Sequence, residues 1–189
     1  LQHVVERVHS AKGIDACIVA TSIAPADQKI EEWCRQNQVP CFQGSEADVL
    51  DRYCGAAEKM NAETVIRITS DCPLIDPQII EKALRIFSEK KPDYLTNGMR
   101  YTYPDGMDVE VFTIKALRSA HEKATKPSER EHVTPYLRNS GEFQIANFES
   151  DVDLGPRNLR LTVDQVEDLE FVREIARQLK HLGQFGLSA

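Results

Sequence analysis

The sequence predicts a single α/β domain built on a mainly parallel, mixed sheet. Short apolar, β-branched runs alternate with helical stretches of about a dozen residues, which is typical of βαβ units. A chain of 189 residues is long enough for one domain with a proper core and too short for two comfortable ones. Neither a Gly/Ser/Pro-rich linker nor an internal repeat divides it. We therefore treat residues 1–189 as one domain.

The first half of the chain alternates between strand and helix patterns. An amphipathic helix is already in progress over residues 1–8. Strands are predicted over residues 14–22, 39–42, 64–69 and 93–96, and helices over residues 26–36 and 45–60. Ser45 is expected to cap the second of these helices, with Asp48 at its capping-box position. Asp76 is expected to cap a further helix that Pro77 opens.

The pattern changes from about residue 97 onward. Strands are predicted over residues 107–112, 143–148 and 159–163, and helices over residues 114–123, 128–138 and 165–182. Because no linker separates this half from the first, residues 97–150 are interpreted as an elaboration of the same domain.

Composition and charge exclude several classes of protein. Hydrophobic residues make up 41% and charged residues 28%, as in an ordinary soluble protein, and no apolar run approaches the roughly 20 residues that span a bilayer. The net charge of −7 argues against a nucleic-acid surface. It is compatible with a nucleotide held by a few arginines in a cleft. Five cysteines without a Cys-x-x-Cys pair indicate reduced thiols and a cytoplasmic protein.

Polar residues follow two of the predicted strands directly. In open parallel sheets, ligands lie beyond the carboxyl ends of the strands. Gly44 and Ser45 come after residues 39–42, at a helix N-terminus that can receive a phosphate or a base. Asp71 comes after residues 64–69 and suits Mg²⁺, which takes one or two carboxylates plus substrate phosphate oxygens. By position alone, Asp71 is equally open to being a turn cap.

Asp164 directly follows the strand predicted over residues 159–163. It could face Asp71 across one crevice and share a metal ion with it. The alternative is a helix N-cap, because Glu167 stands three residues further on. A capping carboxylate would still offer its second oxygen to a metal, so both interpretations stay open.

Three charged residues near these strand ends have two interpretations each. Arg67 alternates with apolar neighbours on one strand face, so it is either a ligand contact or half of a structural ion pair. Asp48 and Arg52 lie one helical turn apart, which favours a surface ion pair of little energetic weight. A nucleotide contact is the alternative for that pair.

Further candidates lie in the second half. Ser128 and Glu131 match a capping box, which favours a structural part for Glu131. His132 is the best placed of the five histidines, although no serine or cysteine arrangement forms a triad with it. Asp151 and Asp153 match the D-x-D metal motif of glycosyltransferases. That motif stands in a polar loop and is the less favoured metal site.

Five motifs follow one another along nearly the whole chain. They are GSEADVLDR at residues 44–52, RITSDCPLIDP at 67–77, YPDGMDVEVF at 103–112, SEREHVTPY at 128–136, and TVD at 162–164 with DL at 168–169. This series resembles the cytidylyltransferase family of spore coat polysaccharide biosynthesis protein F, which is related to the acylneuraminate and ketodeoxyoctonate cytidylyltransferases.

The resemblance implies both a fold and an activity. The fold is GT-A-like, of the nucleotide-diphospho-sugar transferase type, with three α/β/α layers. The activity is transfer of a cytidylyl group from CTP to a sugar hydroxyl, with release of pyrophosphate, in surface polysaccharide biosynthesis. Mg²⁺ is the expected cofactor, an acidic sugar the favoured acceptor and a homodimer the expected assembly.

The resemblance also assigns residues. Asp71 and Asp164 correspond to the catalytic, magnesium-binding aspartates. The residues on the nucleotide side are Gly44, Ser45, Asp48 and Arg52. The residues that face the sugar or a dimer partner are Arg67, Asp105, Asp108, Glu110, Arg130 and His132.

One part of the family pattern has no counterpart in these 189 residues. Family members begin with a strand and a basic, glycine-containing loop of the type A-R-x-x-S-x-R-x-P-G-K, which grips the triphosphate. We therefore expect the chain to bind nucleotide weakly and to turn over poorly. Two alternatives stay open: a metal-dependent GT-A-type glycosyltransferase, which would release a nucleoside diphosphate, and a catalytically inactive relative that acts as a binding partner.

Overall fold

The computed structural model describes residues 1–152 and 159–182. The helices are α1 (Gln2–Ser10), α2 (Gln28–Gln36), α3 (Val49–Lys59), α4 (Pro77–Lys90), α5 (Ile114–Lys123), α6 (Pro127–His132), α7 (Pro135–Asn139) and α8 (Val166–Leu182). The strands are β1 (Val19–Ser22), β2 (Cys41–Gly44), β3 (Thr64–Arg67), β4 (Tyr94–Thr96), β5 (Glu110–Thr113) and β6 (Ile145–Asn147). The prediction of an α/β fold with a mixed sheet is confirmed.

The described strands form two sheets. Strands β1 and β2 pair in parallel, while the larger sheet has the order β3-β5-β4-β6. Strand β5 runs antiparallel to both of its neighbours, and β4 pairs with β6 in parallel. The predicted predominance of parallel pairing was therefore wrong for these strands, because β5 returns between β3 and β4. This return places Glu110 directly opposite Arg67.

Hydrophobic residues pack against both faces of the larger sheet. Side chains of a strand alternate between its two faces, and β5 shows this directly. Val111 belongs to a buried cluster with Ile75, Ile80 and Leu95, whereas Phe112 belongs to a second cluster around α3, α5 and α7. The strands that carry the site are thus held from both sides.

Two predicted elements of the second half do not form. The helix expected over residues 128–138 is divided into α6 and α7 at Val133, which has a φ of 69°. The strand expected over residues 159–163 is reduced to one isolated parallel bridge between Asp105 and Arg160. The second departure involves a backbone contact with a distant segment, which a local pattern does not contain.

Helix caps were predicted with mixed success. Asp76 accepts the backbone N–H of Gln78 at 2.8 Å and caps α4 as expected. Ser45 is not the cap of α3, because that helix begins at Val49 and its N-cap is Asp48, which accepts the N–H of Asp51 at 2.9 Å. The Ser45 hydroxyl accepts the N–H of Asp48 instead, at 3.2 Å.

The capping box predicted at Ser128 and Glu131 was also wrong. Helix α6 begins at Pro127 with Lys126 as its N-cap, two residues earlier than this box requires. Glu129, which is buried, supplies the reaching carboxylate and accepts the N–H of Lys126 at 3.3 Å. Proline at the first helical position fixes this start, since its missing N–H is not needed there.

The cysteines fit the expectation of free thiols. All five are unpaired, and Cys34, Cys54 and Cys72 are buried. Burial raises the pKa of each of these three thiols to about 12, so they stay protonated near neutral pH. Within the described part of the chain, no helix is long and apolar enough to cross a membrane.

Candidate active site

Three segments that the sequence singled out lie side by side. The N–H of Val163 donates to the carbonyl oxygen of Asp71 at 2.8 Å, and the N–H of Leu161 donates to that of Asp105 at 2.9 Å. Gly106, with a φ of 94°, permits the approach, because a Cβ there would lie 2.8 Å from the carbonyl carbon of Leu161. The end of β3, the loop at residues 105–106 and the segment before α8 therefore share one edge.

The carboxylate of Asp164 is not a helix cap. Asp168 performs that function, accepting the N–H groups of Asp164 at 3.0 Å and Gln165 at 2.9 Å. These two hydrogen bonds hold the pKa of Asp168 below its usual value. The capping box with Glu167 was therefore wrong, and the exposed Asp164 side chain is not used by backbone amides. Its assignment as a metal ligand stays a prediction.

Arg160 lies at the centre of these carboxylates. Its guanidinium forms ion pairs with Asp105, Asp164 and Asp168, and its Nε also donates to the Thr162 hydroxyl at 2.8 Å. One cation thus joins the loop before β5 to the start of α8.

The pKa of the Asp108 carboxyl is raised by burial and by neighbouring acidic residues. The Asp108 side chain reaches solvent. Protein nevertheless surrounds the carboxyl group closely enough that burial raises its pKa to about 6, and the charges of Asp105 and Glu110 contribute to the same shift. Arg67 opposes this shift and Asp71 adds to it. The edge at which these segments meet therefore has a negative potential, which attracts a cation.

Replacing Asp108 with asparagine is expected to stabilise the protein near neutral pH. The folded-state pKa of about 6 exceeds the ordinary value of 3.8, so wild-type stability is lost as the pH rises from about 3.8 through 6. The gain of the variant should grow over that window and disappear below it. Melting temperatures in metal-free buffer across this range would measure it. Asp151→Asn is the control of opposite sign, since Lys82 lowers the pKa of Asp151; equal gains in both variants would contradict the prediction.

The carboxylates of this edge would supply only part of the coordination of a divalent cation, with water or substrate oxygens completing it. Within residues 1–152 and 159–182, no group of three or more His, Cys, Asp or Glu side chains is arranged to hold a metal ion. Mg²⁺ characteristically takes one or two carboxylates and fills its other positions with water and phosphate oxygens. Asp71 and Asp164 lie on adjacent segments, and the Asp164 carboxylate does not cap a helix. The two residues would therefore match that requirement.

Arg67 and Glu110 form a largely buried ion pair, in which Glu110 is buried and Arg67 is partly exposed. Arg67 Nη1 donates to Glu110 Oε2 at 2.6 Å, while the hydroxyls of Tyr94 and Thr134 donate to Oε1 at 2.5 and 2.7 Å. The guanidinium carbon of Arg67 also lies 5.9 Å from the centre of the Tyr53 ring. Of the two interpretations of Arg67, the structural ion pair is therefore observed, and a substrate contact by either residue stays a prediction.

The hydroxyl of Thr134 reaches Glu110 through an unusual turn. The N–H of Thr134 donates to the carbonyl of His132 at 2.8 Å, across Val133, whose φ of 69° and ψ of −55° are rarely adopted by a β-branched residue. Val133 is fully buried. Such strain costs on the order of 1–3 kcal/mol and persists only where the surroundings enforce it.

The residues assigned to the nucleotide lie at the end of β2 and at the start of α3. Gly44 pairs with Ser22, and a Cβ on Gly44 would lie 2.7 Å from Arg52 Cγ, so the absence of a side chain lets Arg52 cross the strand end. The Ser22 hydroxyl donates to Asp27 at 2.6 Å and lowers the pKa of that carboxyl. Arg52 Nε is buried without a hydrogen-bond partner in the described structure.

Asp48 does not pair with Arg52, contrary to the ion-pair interpretation. Its carboxylate receives Arg130 Nε at 2.9 Å and Nη2 at 2.5 Å, a two-pronged contact across 82 positions of sequence. Although burial opposes the effect, these hydrogen bonds lower the pKa of Asp48. Arg130 thus fixes the start of α3, and His132, two residues later, is exposed.

The D-x-D motif is described only in part. Asp151 accepts from Lys82 Nζ at 2.9 Å, and Asp153 lies outside the described residues. Nothing observed here favours this motif as a metal site.

Sequence reasoning assigned no role to four residues of this region: Arg160, Tyr94 and, although both lie in the family motifs, Asp168 and Thr134. Asp168 carried a detectable signal, because an acidic side chain in the first turn of a helix can reach back to the N-terminal amides. The other three depend on contacts between segments that are far apart in sequence.

The fold and the strand-end carboxylates place the chain among α/β proteins that bind ligands at the carboxyl edge of a sheet. A family model for cytidylyltransferases matches residues 1–184. The chain belongs to the cytidylyltransferase family and is a nucleotidyltransferase, as its motifs predicted.

Two individual relatives match most of the chain. The chain is 34% identical over 178 residues to the uncharacterized protein MJ1063 of Methanocaldococcus jannaschii, covering 94% of this chain and 72% of that protein. It is 29% identical over 170 residues to the spore coat polysaccharide biosynthesis protein SpsF of Bacillus subtilis, covering 87% of this chain and 68% of that protein.

Two solved structures are similar in fold. A cytidylyltransferase from Leptospira borgpetersenii superposes with a TM-score of 0.86 at 33% identity, covering 94% of this chain and 75% of that one. A CMP:2-keto-3-deoxy-manno-octonic acid synthetase complexed with CTP superposes with a TM-score of 0.68 at 18% identity, covering 94% of this chain and 87% of that one. At such low identity, the second likeness shows the fold alone.

Proposed function

We propose that this protein transfers a cytidylyl group from CTP to a sugar hydroxyl and releases pyrophosphate, in the biosynthesis of a surface polysaccharide. The observation that supports this most is the 2.8 Å hydrogen bond from Val163 to Asp71. It brings together the two segments that carry Asp71 and Asp164, beside a loop with further carboxylates. Membership of the cytidylyltransferase family supports CTP as the nucleotide.

The nucleotide side of the proposed site is the edge formed by β1, β2 and the start of α3. Gly44 and Ser45 offer backbone close to that helix N-terminus, which favours a phosphate. Arg52 crosses the end of β2 at Gly44 and supplies positive charge. Asp48 and Arg130 neutralise each other, so we assign them to positioning α3 rather than to direct contact.

The acceptor side is the loop at residues 105–108 together with the segment before α8. The acceptor oxygen would attack the α-phosphorus in line and lose its proton as the new P–O bond forms, while the bond to pyrophosphate breaks. Asp105 and Asp108 are placed to accept hydrogen bonds from sugar hydroxyls, and exposed His132 is a further candidate contact. Glu110, the first residue of β5 after this loop, forms its ion pair with Arg67 and would hold the end of the loop in place.

Asp71 and Asp164 would hold Mg²⁺ on this side of the site. When bound, the ion neutralises charge on the transferring phosphate. The two carboxylates would fix the position of the ion, and the surrounding aspartates would raise its local concentration. Rv0371c of Mycobacterium tuberculosis, which has a similar fold, was solved in complex with manganese, so Mn²⁺ is a suitable probe of the proposed metal site.

Four further features belong to the same proposal. The fold would be of the GT-A type with three α/β/α layers, in one domain of residues 1–189. Residues 97–150 would serve substrate binding and assembly of a homodimer, a surface to which the exposed Met99 and Tyr101 would contribute. The protein would act in the cytoplasm, and sedimentation velocity would measure its oligomeric state.

A pyrophosphate-release screen tests the proposal. The protein is incubated with Mg²⁺, each common ribonucleoside triphosphate and panels of acidic and neutral sugars, and products are identified by mass spectrometry. Neutral sugars belong in the panel because Arg67 and Arg160, the arginines of the acceptor side, are both paired with carboxylates. We expect pyrophosphate and a CMP-sugar with CTP. Release of a nucleoside diphosphate from a nucleotide-sugar would favour a glycosyltransferase, and no turnover at all would favour a binding relative.

A further inference from the structure

The side chain of Arg160 is the feature that the proposed reaction leaves unexplained. Its Nη2 hydrogen-bonds Asp164 and lies 3.4 Å from Asp168, while its Nε lies 3.7 Å from Asp105. The parallel bridge between Arg160 and Asp105 fixes the backbone that carries it. One guanidinium therefore contacts three carboxylates that come from different parts of this edge.

The carboxylates need such a cation when no metal is bound. Four carboxylates lie on segments joined by backbone hydrogen bonds, or within a few residues of those segments: Asp71, Asp105, Asp108 and Asp164. Like charges that lie close together repel each other. Asp168 is already committed to the N-terminal amides of α8. Arg160 offsets the repulsion and keeps the loop near residue 105 against the segment before α8.

The contact with Asp164 is weak enough to be exchanged. Both side chains are about half exposed, 44% for Arg160 and 55% for Asp164, and exposed ion pairs contribute little to stability. A divalent ion carries twice the charge of a guanidinium, and hard divalent cations prefer oxygen ligands such as carboxylates. Displacing Arg160 from Asp164 therefore requires little free energy when a metal arrives.

We propose that Arg160 is the resident counter-cation of this carboxylate edge: it positions Asp164 in the metal-free protein and yields Asp164 to the divalent ion. The proposal rests on the proposed function in taking Asp164 as a metal ligand. Arg160 is thus a positioning residue rather than a catalytic one, and its charge sets the affinity of the site for the bare ion.

Binding of Mn²⁺ alone, followed by electron paramagnetic resonance of the free ion at low ionic strength, tests this. Arg160→Gln should bind Mn²⁺ up to about fivefold more tightly than wild type, because the ion no longer has to displace the guanidinium from Asp164, an exposed ion pair of small energetic weight. Arg160→Lys keeps the charge and should stay close to wild type. Arg85→Gln removes an exposed arginine that pairs with Glu89 on α4 and should change nothing.

The gain must also depend on Asp164. In the double variant Arg160→Gln/Asp164→Asn, the tighter binding should disappear. Unchanged or weaker Mn²⁺ binding by Arg160→Gln, a gain that persists in the double variant, or no binding by Arg160→Gln at millimolar Mn²⁺ would each overturn the proposal. Failure of the proposed function is seen separately: it is the absence of pyrophosphate release from CTP, whichever way the Mn²⁺ measurement falls.

Discussion

Asp71→Asn is expected to lower metal-dependent pyrophosphate release by at least about 10²–10³-fold, the loss that follows removal of one group that stabilises transition-state charge. Asparagine keeps the shape of the side chain and the backbone carbonyl that receives Val163, so the fold should be retained. What is lost is the negative charge that would hold the divalent ion at the end of β3.

Three measurements define the Asp71 experiment. Initial rates over a range of Mg²⁺ concentrations give the loss of turnover, circular dichroism reports the fold, and Mn²⁺ binding reports the metal site. The exposed Asp15, near the start of the chain, provides Asp15→Asn as a matched control that should behave as wild type. If Asp71→Asn stays within a few-fold of wild type, Asp71 is a turn residue and its assignment as a metal ligand is wrong.

Glu110→Gln is expected to cost about 3–5 kcal/mol in the free energy of unfolding, as for other buried ion pairs that lose one partner. Both carboxylate oxygens of Glu110 accept hydrogen bonds, one from Arg67 and the other from Tyr94 and Thr134. A glutamine amide has only one accepting oxygen, so its NH₂ group must face a donor. The charge of Arg67 also loses its partner.

Urea unfolding followed by circular dichroism measures this loss. Glu89→Gln is the control, because Glu89 pairs with Arg85 on the surface of α4 and such pairs contribute about 0–1 kcal/mol. A loss below about 1 kcal/mol for Glu110→Gln would mean that the network is not a source of stability. Comparable losses in both variants would lead to the same conclusion.

The number and type of most elements were predictable because their causes are local. Alternating apolar runs placed β3 and β4 to within a few residues, and the Asp76-Pro77 pair placed the start of α4 at the observed residue. Asp71 could be singled out in the same way, since it lies in the loop on the carboxyl side of β3.

The pairing of charges was not predictable, because the partners are distant. Asp48 has Arg52 one helical turn away, yet Arg130 reaches it across 82 positions. Arg67 and Glu110, 43 positions apart, meet only because β5 lies antiparallel to β3. The turn at Val133 is likewise unfavourable in isolation and exists because buried neighbours enforce it.

By itself, the sequence determined that the chain is an α/β protein, that it belongs with cytidylyltransferases, and that Asp71 and Asp164 lie in the segments that precede α4 and α8. Period, caps and motifs are properties of short stretches and survive without a folded context. Only the tertiary structure decided that Asp168 caps α8, that Glu110 is held by three donors, and that Arg160 joins three carboxylates. Each of these depends on a hydrogen bond or ion pair whose geometry is set by how separate segments pack.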